Sequence, residues 1–168
     1  YGSGATGVPT HLSAELFKSM ARIDIVRIPY KGTGPALSAV IAGEAQLMFA
    51  TASAVASHVK AGRLKALAVT SAKPSRFALD LPPISVALPG YESVAQSGIF
   101  APVGTPAAVI QRLNHEIVQI LRRPDIREKF FNSGTEAVGS TAEEFALAIK
   151  VEMASMGKVI KEGNIRAQ

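Results

Sequence analysis

The residues Gly2-Ser3-Gly4-Ala5-Thr6-Gly7 spell G-x-G-x-x-G. Two chemistries use such a turn: close approach of a backbone to a dinucleotide pyrophosphate, or reception of a smaller anion on N–H groups ahead of a helix. Asp24 lies at a distance that could hold a ribose hydroxyl, but it stands near the start of "IDIVRIPY". The ribose acid belongs at the carboxyl end of its strand, which here carries Pro29-Tyr30. A phosphate loop of the Walker type fails too, because Val8-Pro9 follows Gly7 where Lys and Ser/Thr are needed. Two more turns, "YKGTG" and "TAS", repeat the theme of the first. Together the three bring the hydroxyls of Ser3, Thr6, Thr33, Thr51 and Ser53, backbone amides, helix N-termini, and Lys31 as the only full charge, with no carboxylate. That combination favours a small anion. For any one loop taken alone, a simple helix cap is the better explanation.

Catalytic groupings are absent from the pattern. His11, His58 and His115 fall in expected helices without a metal-ligand partner one turn on. Ser53 sits in Thr51-Ala52-Ser53-Ala54-Val55 rather than G-x-S-x-G. Glu143, Glu144 and Glu152 read as capping and solvated groups on the last helix. The residues point to binding rather than to an enzyme.

Those loops need elements to hold them. Pro9 suits the first turn of a helix, and Leu12, Leu16 and Phe17 in "HLSAELFKSM" share one face. "IDIVRIPY" reads as a strand whose pairing Pro29 ends. A helix through "ALSAVIAG" is placed to end at Gly43, "AQLMFA" reads as a buried strand, "TASAVASHVKAG" as a helix closed by Gly62, and "LKALAVTS" as another strand. Turn, helix and strand three times over predict an α/β fold with a parallel sheet and right-handed crossovers, which sets all three loops on its carboxyl edge. Open α/β sheets bind ligands on that edge.

Pro74, Pro82, Pro83 and Pro89 mark a long connection from Lys73 to Tyr91. "SGIFAP" reads as one more strand, and the helix of "GTPAAVIQRLNHEIVQILRR" has Thr105 as its N-cap and Pro106 at its first position. Pro124 stops it, a short helix follows, and "EAVG" is a brief strand. Ser140-Thr141-Ala142-Glu143 reads as a capping box opening a last helix, whose Phe145, Ile149, Met153, Met156 and Ile160 form a core-facing stripe closed by Gly163.

Composition narrows the classes. Among 168 residues, 48% are hydrophobic and only 6% aromatic, so the core must be built from Ala, Val, Ile and Leu. The net charge of +5 is scattered, without the basic blocks of a nucleic-acid surface. No cysteine is present, which excludes disulfides and thiolate chemistry. No apolar run approaches a membrane span, and the first residues lack the charged start and apolar centre of a signal peptide. Tyr1 stands where a strand would precede a glycine turn, so the chain is expected to be a piece of a longer protein.

In order and spacing, "HLSAELFKSM", "VRIPYKGTGPAL", "GEAQLMFA", "AGRLKALAVTSAKPSR", "LPGYES", "IFAPVGTPAAVIQRLNHEI" and "AVGSTAEEFA" resemble the Bug/TctC solute-binding receptors of tripartite tricarboxylate transporters. The likeness covers essentially the whole chain. It implies a periplasmic-binding-protein fold of the type II-like, Venus-flytrap kind. Residues 1–92 would form the second, ligand-binding lobe, and residues 93–168 a crossover strand and helices returning largely to a first lobe that this chain does not include. It implies a periplasmic receptor, no enzyme and no cofactor, that captures a small organic mono- or dicarboxylate and presents it to a membrane permease. The matching loops give Ser3, Gly4, Ala5, Thr6 and Gly7, then Tyr30, Lys31, Gly32 and Thr33, then Ala50, Thr51 and Ser53 as ligand contacts. Many relatives carry Asp where this chain has Ala50 and an aromatic where it has Gln96, which leaves side-chain specificity open. Without its other lobe, the chain is expected to self-associate or to stay with its N-terminal portion. A nucleotide-dependent enzyme and a ligand-free structural module are the alternatives.

Overall fold

The computed structural model describes residues 1–78 and 80–166. It separates into two compact units, residues 1–95 joined by the chain from Ser155 onward, and residues 96–154.

In the first unit, strand β1 (Gly2–Ser3) leads into helix α1 (Pro9–Ala21), strand β2 (Ile28–Pro29) into α2 (Thr33–Ile41), and the segment around Met48 into α3 (Ala52–Lys60). Pro9 occupies the first turn of α1, where its missing N–H costs nothing. Gly43 and Gly62 take left-handed φ of 81° and 69° after α2 and α3, and the following amides, Glu44 and Arg63, reach back to Ala39 O and His58 O. These are Schellman ends that glycine adopts without steric cost. β1 and β2 pair in parallel with Gly2 opposite Ile28 and Ser3 opposite Pro29, while Met48 bridges Gly2 in parallel on the other side. The expected parallel arrangement is therefore present around β1, but its strands are short.

Several expectations need correction. Pro29 lies within the ladder rather than ending it, because the amides that reach β1 are those of Ile28, to Tyr1 O, and Tyr30, to Ser3 O. In a parallel ladder alternate residues donate to one neighbour, so the proline's missing N–H falls on the side away from β1. The "LKALAVTS" stretch contributes only a bridge between Val69 and Pro83, with the Val69 amide on Pro82 O and the Ile84 amide on Val69 O. "SGIFAP" and "EAVG" form no strand, and Ile99, Phe100 and Val138 are each about three-quarters exposed. An apolar run makes a strand only where a neighbouring ladder receives it.

The core of this unit is Leu16, Tyr91 and Val159, with Phe17, Met20, Phe49, Ile84, Leu88, Met156 and Ile165 around them. Phe17 meets Tyr91 edge-on at 6.2 Å and Phe49 at 5.8 Å. Buried alanines, Ala36, Ala39 and Ala45, let α2 lie close on β1: a Cβ on Gly2 would stand 3.4 Å from Ala36 O and 3.5 Å from the Ala45 methyl.

The second unit holds α4 (Ala107–Arg122), α5 (Pro124–Asn132) and the first part of α6 (Ala142–Glu162). Pro106 is the N-cap of α4, one residue later than expected, and the Thr105 hydroxyl donates to Pro102 O instead of capping. The capping box is also displaced by one: Thr141 N–H donates to Glu144 Oε2 and Glu144 N–H to Thr141 Oγ1. The expected stripe on α6 shifts as well. Met153 is 69% exposed and Ile160 half-exposed, while Val159 is buried in the first unit's core. The helix is followed by Asn164 in the left-handed region rather than closed by Gly163. No described helix is long and apolar enough to cross a membrane.

Candidate ligand site

Because β2, β1 and the Met48 segment run parallel side by side, the loops that leave their carboxyl ends share one edge. These are residues 4–8, 30–32 and 49–51, each entering a helix. The first two touch: a Cβ on Gly4 would lie 3.3 Å from the Gly32 carbonyl carbon and 3.4 Å from the Thr33 nitrogen. Tyr30 lays its ring against Gly2, 3.5 Å from where a Cβ would stand. Ala5, Gly7, Lys31, Thr33, Thr51 and Ser53 are exposed, Thr6, Tyr30, Gly32 and Ala50 half-buried, and Ser3 and Gly4 buried.

The caps bear on the two explanations of these loops. The N-cap residues of α1, α2 and α3 are Val8, Gly32 and Thr51, and none makes a side-chain capping bond. Thr51, a good capping residue by type, instead receives the Ser53 hydroxyl at 3.3 Å. The hydroxyls were not spent on the helix ends, so three helix N-termini meet one edge without side-chain caps. Each carries the partial positive charge of its amides.

One residue that meets the first loop escaped the sequence. Arg27 reaches over from the segment before β2 and donates Nε to Ser3 Oγ (2.7 Å), Nη1 to Thr6 Oγ1 (3.1 Å) and Nη2 to Gly4 O (3.0 Å). Lys31 is therefore not the site's only full charge. Ser3 in turn donates to Gly4 O at 3.2 Å, so its hydroxyl is engaged beneath the loop. The Gly7 amide is engaged as well, donating to His11 Nδ1 at 3.0 Å. Asp24, exposed and ahead of β2, is not the side chain that meets the glycine turn.

His11 is 2% exposed, with Nε2 at 3.9 Å from Glu15 Oε1, which also accepts the Tyr1 phenol. Burial, and then the nearby Arg27 charge, hold its imidazole below the ordinary histidine range, so His11 is neutral and offers Nδ1 to the loop. The linkage has a definite sign: the unfolded chain takes up this proton near pH 6.5 and the folded chain only lower. Stability is therefore full above about pH 6.5 and falls as pH drops toward the folded value. The melting temperature should fall between pH 7.5 and 5.5 by more in the native protein than in His11→Gln; equal falls would remove His11 as the cause.

His58 and His115 lie half-buried on α3 and exposed on α4, and no described group of His, Asp and Glu could hold a metal. A shallow cavity of about 310 Å³ opens at the end of α1, lined by Glu15, Lys18, Arg22 and Glu162 among others and by none of the loop residues. Its mixed charges select no anion.

A sequence model described as the tripartite tricarboxylate transporter family receptor matches residues 1–165. The chain belongs to this receptor family. A UPF0065 protein of Pseudomonas knackmussii is 31% identical over 156 residues, covering 92% of both chains. Another, from Pseudomonas sp., is 32% identical over 99% of this chain and 50% of its own length. Apart from the Pseudomonas knackmussii protein, the chain spans about half the length of the curated relatives it matches. Among solved structures, R. palustris Rpa4515 with adipate superposes with a TM-score of 0.82 at 32% identity, over 99% of this chain and 57% of that one. The periplasmic binding protein BugD gives 0.77 at 26% identity, over 99% and 57%. MatC of Rhodopseudomonas palustris with bound malate gives 0.75 at 25% identity, over 95% and 56%. The α/β fold of this receptor family is thus that of periplasmic binding proteins, and the family is one of solute-binding receptors rather than enzymes.

Proposed function

We propose that the chain is the ligand-binding part of a periplasmic receptor that captures a small organic mono- or dicarboxylate and delivers it to the membrane permease of a tripartite tricarboxylate-type transporter. The observation that carries this reading is the meeting of three side-chain-uncapped helix N-termini on one sheet edge, with Arg27 beneath and no carboxylate among the loop residues. In this reading Ala5 and Thr6 face the carboxylate, with Gly4 and Gly7 shaping the turn and Ser3 supporting it from below. Tyr30, Lys31, Gly32 and Thr33 close one side, and Ala50, Thr51 and Ser53 the other. Two relatives solved with adipate and malate support the ligand class. The site carries out no bond-making. It replaces the hydration of a carboxylate with fixed donors and helix dipoles, and release is the reverse of binding.

A thermal-shift screen with organic acids, NAD(P) and ATP tests the proposal. Stabilisation by mono- or dicarboxylates is expected, and none by nucleotides. Dinucleotide stabilisation that survives high salt, with no response to any organic acid, would overturn it.

A further inference from the structure

We propose that Arg27 is the positioning residue that sets this site's specificity: by holding Ser3 beneath the glycine turn and orienting the Thr6 hydroxyl it makes the turn present a donor, which selects unsubstituted carboxylates over their 2-amino counterparts. The inference rests on the carboxylate-receptor reading above. A guanidinium offers five N–H donors and no acceptor, in a rigid fork. Three of them meet three consecutive polar features of the turn, Ser3 Oγ, Gly4 O and Thr6 Oγ1. A hydroxyl has one proton and two lone pairs. When Arg27 Nη1 occupies a lone pair of Thr6 Oγ1, the proton must turn away from the cation. Ser3 shows the same outcome within the fold: it accepts from Arg27 Nε and gives its proton to Gly4 O. Thr6 is half-buried between exposed Ala5 and exposed Gly7, and no described residue accepts its proton, which is left for a group arriving from solvent.

A ligand atom at that point must be an acceptor. It also lies in the field of a fixed positive charge with no carboxylate among the loop residues to balance it, so an ionised carboxylate gains and an adjacent ammonium loses. The same charge acts on His11, where it adds to burial in holding the imidazole below its ordinary range. Lysine would keep the charge without the fork, and glutamine would keep two donors without the charge.

The test compares matched pairs on the native protein, Arg27→Gln and Arg27→Lys by calorimetry: succinate with aspartate, glutarate with glutamate, and adipate with 2-aminoadipate. In the native protein the plain acid of the tightest-binding pair should bind at least roughly tenfold better than its amino counterpart. Arg27→Gln should weaken the plain acid by roughly tenfold or more and leave the amino acid less affected, so the ratio collapses. Arg27→Lys should recover part of the ratio while affinity stays reduced. An unchanged ratio in Arg27→Gln, with an unchanged melting temperature, would overturn the proposal and leave the receptor reading standing. If Arg27→Gln does not fold, an unchanged ratio and affinity in Arg27→Lys would overturn it equally. Binding of none of these acids by the native protein would overturn the receptor reading, and this inference with it.

Discussion

Replacing Tyr91 with alanine is expected to destabilise the first unit by about 3 to 5 kcal/mol, the range for removing a large aromatic from a core. Tyr91 is fully buried and packs edge-on against Phe17 within the cluster of Leu16 and Val159. Its phenol donates to Ser13 O on α1 at 3.0 Å, and burial pushes its pKa well above the ordinary tyrosine value. With the ring intact, no buried side-chain polar atom among the described residues lacks a partner. Tyr91→Phe removes only that bond and should cost about 0.5 to 1.5 kcal/mol, so the gap between the two variants isolates the packing. The effect extends to the proposed ligand edge, because Ser13 ties the first turn of α1: its hydroxyl donates to Pro9 O and shares a 2.7 Å bond with Ser93 Oγ, two residues from Tyr91. Urea unfolding of the three proteins measures this. A loss below about 1 kcal/mol in Tyr91→Ala would mean that the ring is not the anchor of α1.

Much of the scaffold was legible because its signals are local. Pro9, Gly43, Gly62 and Pro124 mark helix ends through their own backbone preferences, and the structure uses each of them there. The capping box slipped by one because both Ser140–Glu143 and Thr141–Glu144 satisfy the same spacing; only the geometry chooses the second. Strand length was misjudged for a different reason. "LKALAVTS", "SGIFAP" and "EAVG" have the right residue types, but a ladder is a property of two segments, and the residue pattern of one does not supply the other. Arg27 was invisible on the same grounds. In an alternating apolar segment it reads as a solvent-facing charge, whereas its partners lie between 21 and 24 residues earlier in the chain. The shared edge of the three loops, by contrast, is legible from the repeated order of turn, helix and strand, because the parallel order β2, β1, Met48 puts the end of each segment on the same side.

That shared edge depends on one close approach, and Gly4→Val is expected to break it. A Cβ at Gly4 would lie 3.3 Å from the Gly32 carbonyl carbon and 3.4 Å from the Thr33 nitrogen. These are backbone atoms at the start of α2 and cannot swing aside as a side chain would. Valine adds two methyl groups beyond that Cβ, and the strain has two outlets, the Gly4 turn or the N-terminus of α2. Overpacking of this kind costs about 1 to 3 kcal/mol of stability. Either outlet separates two of the three helix N-termini that the proposed carboxylate needs at once. Affinity for the best organic acid of the screen should fall by at least roughly tenfold, more than 1.4 kcal/mol. Gly34→Ala, in the first turn of α2 and outside the proposed contacts, supplies the control: a Cβ there meets nothing within 4 Å. Calorimetry and thermal melting on both variants should therefore show Gly4→Val impaired in both and Gly34→Ala close to native. If the two behave alike, contact between the loops is not what assembles the site, and each loop would have to hold its ligand group independently.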